Sequence, residues 1–390
     1  MTALSFAVWT TWYLLHANAH PSGDLSQGAY TDHFSHMNAA RLFPRVGLQI
    51  WQRPTRDLVV PLRPEEVSQL PSDLRPFAGP GGGVFRVPGW PLNKAFISSW
   101  TQYPRPYPPG DMVLVAPIAI AYHFSSLTFT QVNRILIIYF LLLAHISVFF
   151  VLLVFWPGEP RRIIGPLGIF IAYSELIHWS LEGFYDVALL APITLAAMLL
   201  KAKRNLAALV AYCASTFIHY RAFFFAPLSI YAAYSILKNG DWRRWRAREI
   251  IAIAVAVLLG GTSLYTFGLL RPWFSQVQIT NPVRLAPNNP ALIEFAVVIL
   301  IVALFLLSAR AWFDTVMLFW MSIMWIQTPY TWYWYMLAML PWLTMEMLDM
   351  KKPEAIPTVR SARLIFVIVV SVLVCNYVPV PNWLQLVFRP

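Results

Sequence analysis

The sequence predicts an all-α polytopic membrane protein, a single domain over residues 1–390 with about 11 transmembrane helices and a large first extracytoplasmic loop. Of its 390 residues, 58% are hydrophobic and only 12% are charged, and the mean hydropathy is +0.56. Apolar runs long enough to cross a hydrocarbon slab of roughly 30 Å recur along most of the chain. A soluble core could not bury this much apolar surface, so a soluble enzyme is excluded.

Eleven apolar segments are the predicted transmembrane helices. They span about residues 4–17, 131–155, 163–180, 185–200, 205–220, 222–237, 250–270, 291–307, 312–326, 332–348 and 361–378. Another apolar run, 112–124, is short and follows the proline-rich run 103–110. We therefore expect it to be re-entrant or interfacial.

The positive charges indicate the orientation of these helices. The formal net charge is +11, which in a membrane chain indicates topology rather than nucleic-acid binding. If the run 112–124 does not cross, the short basic linkers all fall on one side, as the positive-inside rule requires of the cytoplasmic side. The first loop, 18–130, then faces outward. We expect a multi-pass membrane protein whose polar machinery is concentrated on the outer side.

The first outer loop supplies the earliest candidate site residues, Asp32, His33 and His36. Asp32 and His36 are one helical turn apart, so on a short helix against the membrane they share a face, where a carboxylate can accept a proton from a hydroxyl. The alternative is that Asp32 caps the helix, and the two roles can coexist. Pro44 is expected to stop this helix.

A second group lies at the outer end of one apolar segment and the start of the next. Glu175, His178 and Glu182 fall on one helical face, and Asp186 follows in the next turn. Ionisable groups in a membrane helix are costly, so they usually face a cavity and indicate function. A solvated loop of ordinary polar residues is the alternative.

A third group is His219 and Arg221, which lie between two apolar halves with no acidic residue nearby in the sequence. A guanidinium matches phosphate oxygens, so a lipid phosphate is a suitable partner. The two side chains diverge by about 200° on a continuous helix, so they serve one site only if the helix ends here. Arg271 is a weaker candidate of the same kind. The alternative is an arginine that reaches up to the lipid headgroups.

Tyr330 and Tyr333 belong to an aromatic run at the outer end of a late helix. Such runs commonly form the aromatic belt of a membrane interface. A sugar-lining role is the second possibility.

Motifs for nucleotide or metal-dependent hydrolytic chemistry do not occur in the sequence, and the cytoplasmic linkers are too short to hold a nucleotide-binding domain. A group-transfer donor would then come from the membrane or the outer side, so a lipid-linked donor is expected.

Taken in order, these motifs resemble the GT-C superfamily of integral-membrane glycosyltransferases. The resemblance rests on Asp32 early in a long first loop, the Tyr-Pro-Pro run at 107–109, the Gly-x-x-Asp turn at 183–186, the segment from His219 to Pro227, and the aromatic stretch 330–341. It covers most of the chain, although each motif is degenerate.

The resemblance implies direct displacement with inversion. Asp32 is the general base on the acceptor hydroxyl, and Arg221, helped by His219 or Arg271, stabilises the charge that grows on the departing phosphate. The remaining candidates are expected to contact substrate: His33, His36, Glu175, His178, Glu182, Asp186, Tyr330 and Tyr333.

The implied donor is a polyprenyl-phosphate sugar, and the acceptor is a glycan, a lipid or a protein. The turn at Asp186 lacks the second carboxylate that relatives with diphosphate donors tend to carry. We therefore expect a monophosphate donor and no required cofactor or divalent metal. A secondary transporter or lipid flippase is the rival from another class, and a scaffold with degenerate sites is the third possibility.

Overall fold

A computed structural model describes residues 2–16, 31–78, 83–98, 101–155, 185–239 and 246–273. Over these residues the chain is mostly helical. The helices are α1 (Thr2–His16), α2 (Thr31–Val46), α3 (Gln49–Gln52), α4 (Pro64–Ser68), α5 (Gly110–Phe124), α6 (Phe129–Phe155), α7 (Leu190–Lys201), α8 (Asn205–Ile218), α9 (Ala226–Asn239) and α10 (Ala247–Leu269). The predicted segment 163–180 and the four predicted segments after residue 290 lie outside the described residues.

Two of the described helices are long and apolar enough to cross a membrane: the stretch Phe129–Ile146 of α6, and α10. The other apolar helices are shorter: α1 and α5 have 15 residues each, α8 and α9 have 14 each and α7 has 12, against the roughly 20 residues that span a hydrocarbon core of about 30 Å. Since α5 is no shorter than helices that were predicted to cross, the re-entrant or interfacial placement of 112–124 stays a prediction.

Helix α1 packs against α6 through one hydrogen-bonded pair and an apolar cluster. Tyr13 is buried against Ile137 and Leu141. The Nδ1 atom of His145 donates to the carbonyl of Leu141 (2.7 Å), so its Nε2 atom accepts from the hydroxyl of Ser5 (3.2 Å). A polar side chain inside an apolar helix is thereby satisfied within the protein.

Helix α2 lies across α5 and contacts both of its ends. Phe34 meets Tyr122 in the last turn of α5, with ring centroids 6.2 Å apart. Ala39 packs with Met112 in the first turn. Phe34 and Ala39 are five residues apart and therefore point about 140° apart around α2. The two flanks of α2 consequently carry side chains toward opposite ends of α5.

A small antiparallel sheet in the first loop departs from the all-α expectation. Its order is β1-β2-β3, with β1 at Val60–Pro61, β2 at Val84–Arg86 and β3 at Phe96–Ile97. Strands of two or three residues are too short to show an alternating pattern in the sequence. The sequence therefore did not predict these three strands.

The expectation that Pro44 stops the first-loop helix is wrong. Helix α2 contains Pro44 and continues to Val46, because proline in the last turn removes only one donor. Gly47 ends the helix instead. Its φ of +56° is left-handed backbone that glycine adopts freely, and its N–H donates to the carbonyl of Phe43 (2.8 Å).

Gly110 marks the closest approach between α5 and α8. A Cβ atom at Gly110 would overlap the backbone carbonyl of Phe217 in the last turn of α8. Since a backbone carbonyl cannot rotate away as a side chain can, only glycine fits here. This contact brings the start of α5 against the end of α8.

The substitution Gly110→Ala is expected to lower the free energy of unfolding by about 1–3 kcal/mol, because it overpacks this contact. The matched control is Gly261→Ala in α10, where a Cβ atom meets nothing within 4 Å. That control is expected to raise stability by about 0.5–1 kcal/mol, since alanine is the better helix former. Denaturant unfolding of the purified protein in detergent measures both. Equal effects of the two substitutions would contradict the contact.

Candidate functional site

The centre of the candidate site is the carboxylate of Asp111, in the first turn of α5. Its side chain has no solvent exposure, and its Oδ2 atom contacts both the guanidinium of Arg105 and the ring of His36. The Oδ1 atom accepts from the backbone N–H of Met112 (2.5 Å). A buried carboxylate needs such donors, because burying an unpaired charge is costly.

The proton on His36 can be assigned from these contacts. A guanidinium nitrogen of Arg105 lies 2.6 Å from the Nδ1 atom of His36, and the Oδ2 atom of Asp111 contacts both. An ionised carboxylate can only accept and arginine can only donate. We therefore assign Nδ1–H to His36, so that His36 and Arg105 both donate to the Oδ2 atom of Asp111 and the contact between Arg105 and His36 is not itself a hydrogen bond.

Arg105 belongs to the proline-rich run before α5, and hydrogen bonds hold this run in place. The backbone N–H of Arg105 donates to the carbonyl of Ile50 (2.9 Å), and the guanidinium of Arg105 donates to the carbonyl of Ser35 (3.3 Å). The indole N–H of Trp51 donates to the carbonyl of Tyr107 (2.7 Å). These bonds attach an extended segment, which has no helical partners of its own, to α2 and α3.

Four aromatic rings from four separate segments meet beside Asp111. The ring of Tyr185 is 3.9 Å from that of His36 and 5.9 Å from that of His219. The ring of Tyr107 is 4.3 Å from His36 and 5.3 Å from His219. Tyr185 also donates its hydroxyl to the carbonyl of Ile218 (3.2 Å). Offset and edge-to-face pairs of this kind add specific geometry to apolar burial.

The structure has the helix break at His219 on which a shared site for His219 and Arg221 was conditional. Helix α8 ends at Ile218, and His219 is extended, with φ −150° and ψ 130°. The chain continues as a 3-10 helix over Tyr220–Phe225. The Nδ1 atom of His219 accepts from the backbone N–H of Arg221 (3.1 Å), so the break brings the two residues to the same turn.

Arg271 lies at the same end of the helices as this break. It opens a 3-10 helix, Arg271–Trp273, and its side chain is exposed. The preceding Leu270 shares a buried cluster with Tyr220, and the hydroxyl of Tyr220 donates to the Oγ1 atom of Thr266 in α10 (2.8 Å). The end of α10 is therefore attached to the segment that carries Arg221.

The other predicted site residues are placed only in part. Asp32 and His33 lie in the first turn of α2, and Asp186 lies in the 3-10 helix Tyr185–Leu189; the structure describes their backbone positions but not their side chains. His36 and His219 are buried, with exposures of 0% and 4%. Glu175, His178, Glu182, Tyr330 and Tyr333 lie outside the described residues.

Sequence reasoning missed Asp111 and Arg105. The signal was an acidic residue at the start of an apolar segment, six residues after an arginine within a proline-rich run. An ionisable group at such a position is expected to have a partner, but the run suggested only a re-entrant segment. Over the residues that the structure describes, no group of three or more His, Cys, Asp or Glu side chains could hold a metal ion.

The substitution Asp111→Asn is expected to cost about 3–5 kcal/mol of unfolding free energy, because it leaves the buried charge of Arg105 without its partner. The control Asp57→Asn removes an exposed ion pair with Arg56 (3.9 Å) and is expected to stay within about 1 kcal/mol.

A double variant, Arg105→Met with Asp111→Leu, tests the cause of that loss. It removes both charges and is expected to recover much of the stability. Denaturant unfolding in detergent measures all three proteins. A loss for Asp111→Asn no larger than that of the control would contradict the buried pair.

No family model, no curated protein and no solved structure matches this chain. Its chemistry is therefore inferred from its own residues: a buried carboxylate clamped by Arg105 and His36, and beside it the rings that join α2 to the helix break at His219.

Proposed function

We propose that the protein is a membrane glycosyltransferase of the GT-C type that moves a sugar from a polyprenyl-phosphate donor to an acceptor hydroxyl outside the cytoplasm. One observation carries the proposal: the contact of the ring of Tyr185 with the rings of His36 and His219. It brings the helix of the proposed base next to the helix break of the proposed phosphate-binding arginine.

A chain of contacts connects the helix of the proposed base to the segment of the proposed arginine. Asp32 lies one turn before His36 on α2, a rise of about 6 Å. From His36 the path crosses Tyr185 to His219, whose ring accepts from the backbone N–H of Arg221. The proposal requires one bound lipid phosphate sugar to reach both ends, since the carboxylate and the guanidinium act on opposite sides of one anomeric carbon.

The reaction is a direct displacement. The acceptor oxygen forms a bond to the anomeric carbon as the bond from that carbon to the phosphate oxygen breaks, and the hydroxyl proton passes to Asp32. The bonding pair leaves with the lipid phosphate, whose new charge is stabilised by Arg221, with His219 or Arg271. Groups placed in advance where charge develops supply the larger part of such catalysis.

Asp111 is less suited than Asp32 to the role of base. Both of its oxygens already accept hydrogen bonds, one from Met112 and the other from Arg105 and His36. A general base needs a lone pair within reach of the substrate proton. We assign Asp111 a positioning role, which fixes His36 and, through it, the face of α2 on which Asp32 lies.

The membrane setting completes the proposal. About 11 transmembrane helices place the first loop on the periplasmic side of a bacterial inner membrane, and the two membrane-length helices among the described residues support a membrane location. The acceptor is a glycan, a lipid or a protein. Because the turn at Asp186 has one carboxylate, the donor is a monophosphate and no metal is required.

The substitution Asp32→Asn is expected to abolish sugar transfer while donor binding persists, because the amide cannot accept the hydroxyl proton. Purified protein is incubated with a panel of lipid-phosphate sugars, and mass spectrometry detects the released lipid phosphate. Asp57→Asn, an exposed carboxylate of the same loop, is the control. Full activity of Asp32→Asn would refute the assignment of the base.

Uptake into vesicles without a covalent product would favour the transporter or flippase, and binding without turnover would favour the scaffold.

The substitution Arg221→Gln is expected to lower kcat by about 10²–10³-fold, the usual effect of losing one preorganised charge-stabilising donor. Its control is Arg204→Gln, because Arg204 is exposed and precedes the opposite end of the same helix, α8. Steady-state kinetics on the preferred donor measure both. Equal kcat values for the two variants would exclude Arg221 from the reaction.

A further inference from the structure

Two buried cations lie beside the flank of α2 that faces away from Asp111. Arg41, on α2, is 9% exposed, and Lys94, in the 3-10 segment Leu92–Lys94, is 3% exposed. Within the described part of the chain, no carboxylate lies within 4.0 Å of either charged group. Around Asp111, by contrast, the carboxylate balances the charge of Arg105.

Neutral groups hold both cations in place. Arg41 donates to the side-chain oxygen of Asn38 (2.8 Å) and to the carbonyl of Lys94 (2.7 Å), and its guanidinium lies 4.0 Å from the ring of Trp90. The ammonium of Lys94 donates to the carbonyl of Leu127 (2.5 Å) and lies 3.9 Å from the ring of Tyr122. These contacts fix the geometry of the cations but leave two positive charges uncompensated.

Burial is the main reason why the pKa values of the basic groups in this cluster are lowered, and the neighbouring cations add to it for Lys94 and His123. Burial lowers the pKa of Arg41 to about 10. Burial, and then the nearby charge of Arg41, lower the pKa of Lys94. The pKa of His123 is lowered by burial and then by both cations. A group that carries negative charge would oppose each of these effects.

The nearby carboxylate of Asp73 does not fill this role. It acts on Lys94 only from beyond ion-pair distance. Its Oδ2 atom instead accepts from the backbone N–H of Thr130 (3.2 Å) and from the Thr130 hydroxyl (3.4 Å), which satisfies the start of α6. Among the described residues, no acidic side chain therefore balances these two cations at ion-pair distance.

The cluster lies just beneath the protein surface. Trp90 and His123 are half-buried, with ring centroids 5.3 Å apart, and Pro91 and Asn93 beside them are exposed. At this edge Arg41 contacts both rings: its guanidinium lies 4.0 Å from the ring of Trp90 and donates to the Nδ1 atom of His123 (3.4 Å). Guanidinium and ammonium groups together are the donors that phosphate oxygens use.

We propose that Arg41 and Lys94 form a binding site for a phosphate-type oxyanion, either free in solution or on a lipid headgroup. Trp90 and His123 form its rim. Tyr122, which Lys94 contacts, lies 11 residues after Asp111 on α5, a separation of about 16 Å. The site is therefore separate from the Asp111 cluster, and the inference does not depend on the proposed sugar transfer.

The test is calorimetric titration of the purified full-length protein in detergent with inorganic phosphate, against sodium chloride at matched ionic strength. The substitution Lys94→Met is expected to weaken phosphate binding about tenfold or more, since a charged hydrogen bond contributes about 1.5–3 kcal/mol. The control Arg45→Met also removes one positive charge, but from an exposed position on α2, the helix that carries Arg41; its guanidinium contacts the carbonyl of Pro88. It is expected to leave binding unchanged.

Two further arms complete the experiment. Vesicles of phosphatidylglycerol, compared with phosphatidylcholine, show whether a lipid headgroup competes for the site; competition identifies a lipid phosphate, and its absence identifies a soluble anion. A second variant, Lys94→Gln, repeats the measurement if Lys94→Met fails to fold. Phosphate that binds no better than matched chloride, or binding that the Lys94 and Arg45 substitutions weaken equally, would overturn the site.

Discussion

The buried contact of Asp111 with Arg105 and His36 is the constraint on which the described part of the first loop depends. It joins three parts of the first loop that are far apart in sequence: the proline-rich run, α2 and the start of α5. None of these charges is solvated, so each is tolerated only while the others are in place. The direction of the His36 ring, and therefore its contact with Tyr185, follows from this one carboxylate.

The crossing of α2 over α5 divides the polar residues of the loop into two groups. One flank of α2 carries His36 to Asp111, in a cluster whose charges balance. The other flank carries Arg41 to Tyr122 and Lys94, in a cluster whose charges do not. The same helix crossing thus produces a buried cluster with balanced charges on one side and a buried, positively charged cluster on the other. The proposed sugar transfer and the proposed anion binding are assigned to different clusters for this physical reason.

Local features of the site were predictable because they depend on residues close in the chain. The spacing of Asp32 and His36 predicted a shared helical face, and α2 covers both residues. The 200° divergence of His219 and Arg221 meant that both could serve one site only if the helix ended here, and α8 ends at Ile218, just before them. Pro44 misled the prediction, because the rule that proline breaks helices loses force in a last turn that Gly47 already terminates.

By itself, the sequence determined the helical character of the chain, its apolar segments and the short motifs of the loop, since periodicity and composition act over a few residues. Only the tertiary structure decided which motifs meet. His36 and Asp111 are separated by 75 positions, and no local pattern encodes such a pairing; it follows from how α2 crosses α5. The same holds for the charged side chains. Helix packing brings Asp111 within reach of Arg105, and among the described residues it brings no acidic side chain within ion-pair distance of Lys94.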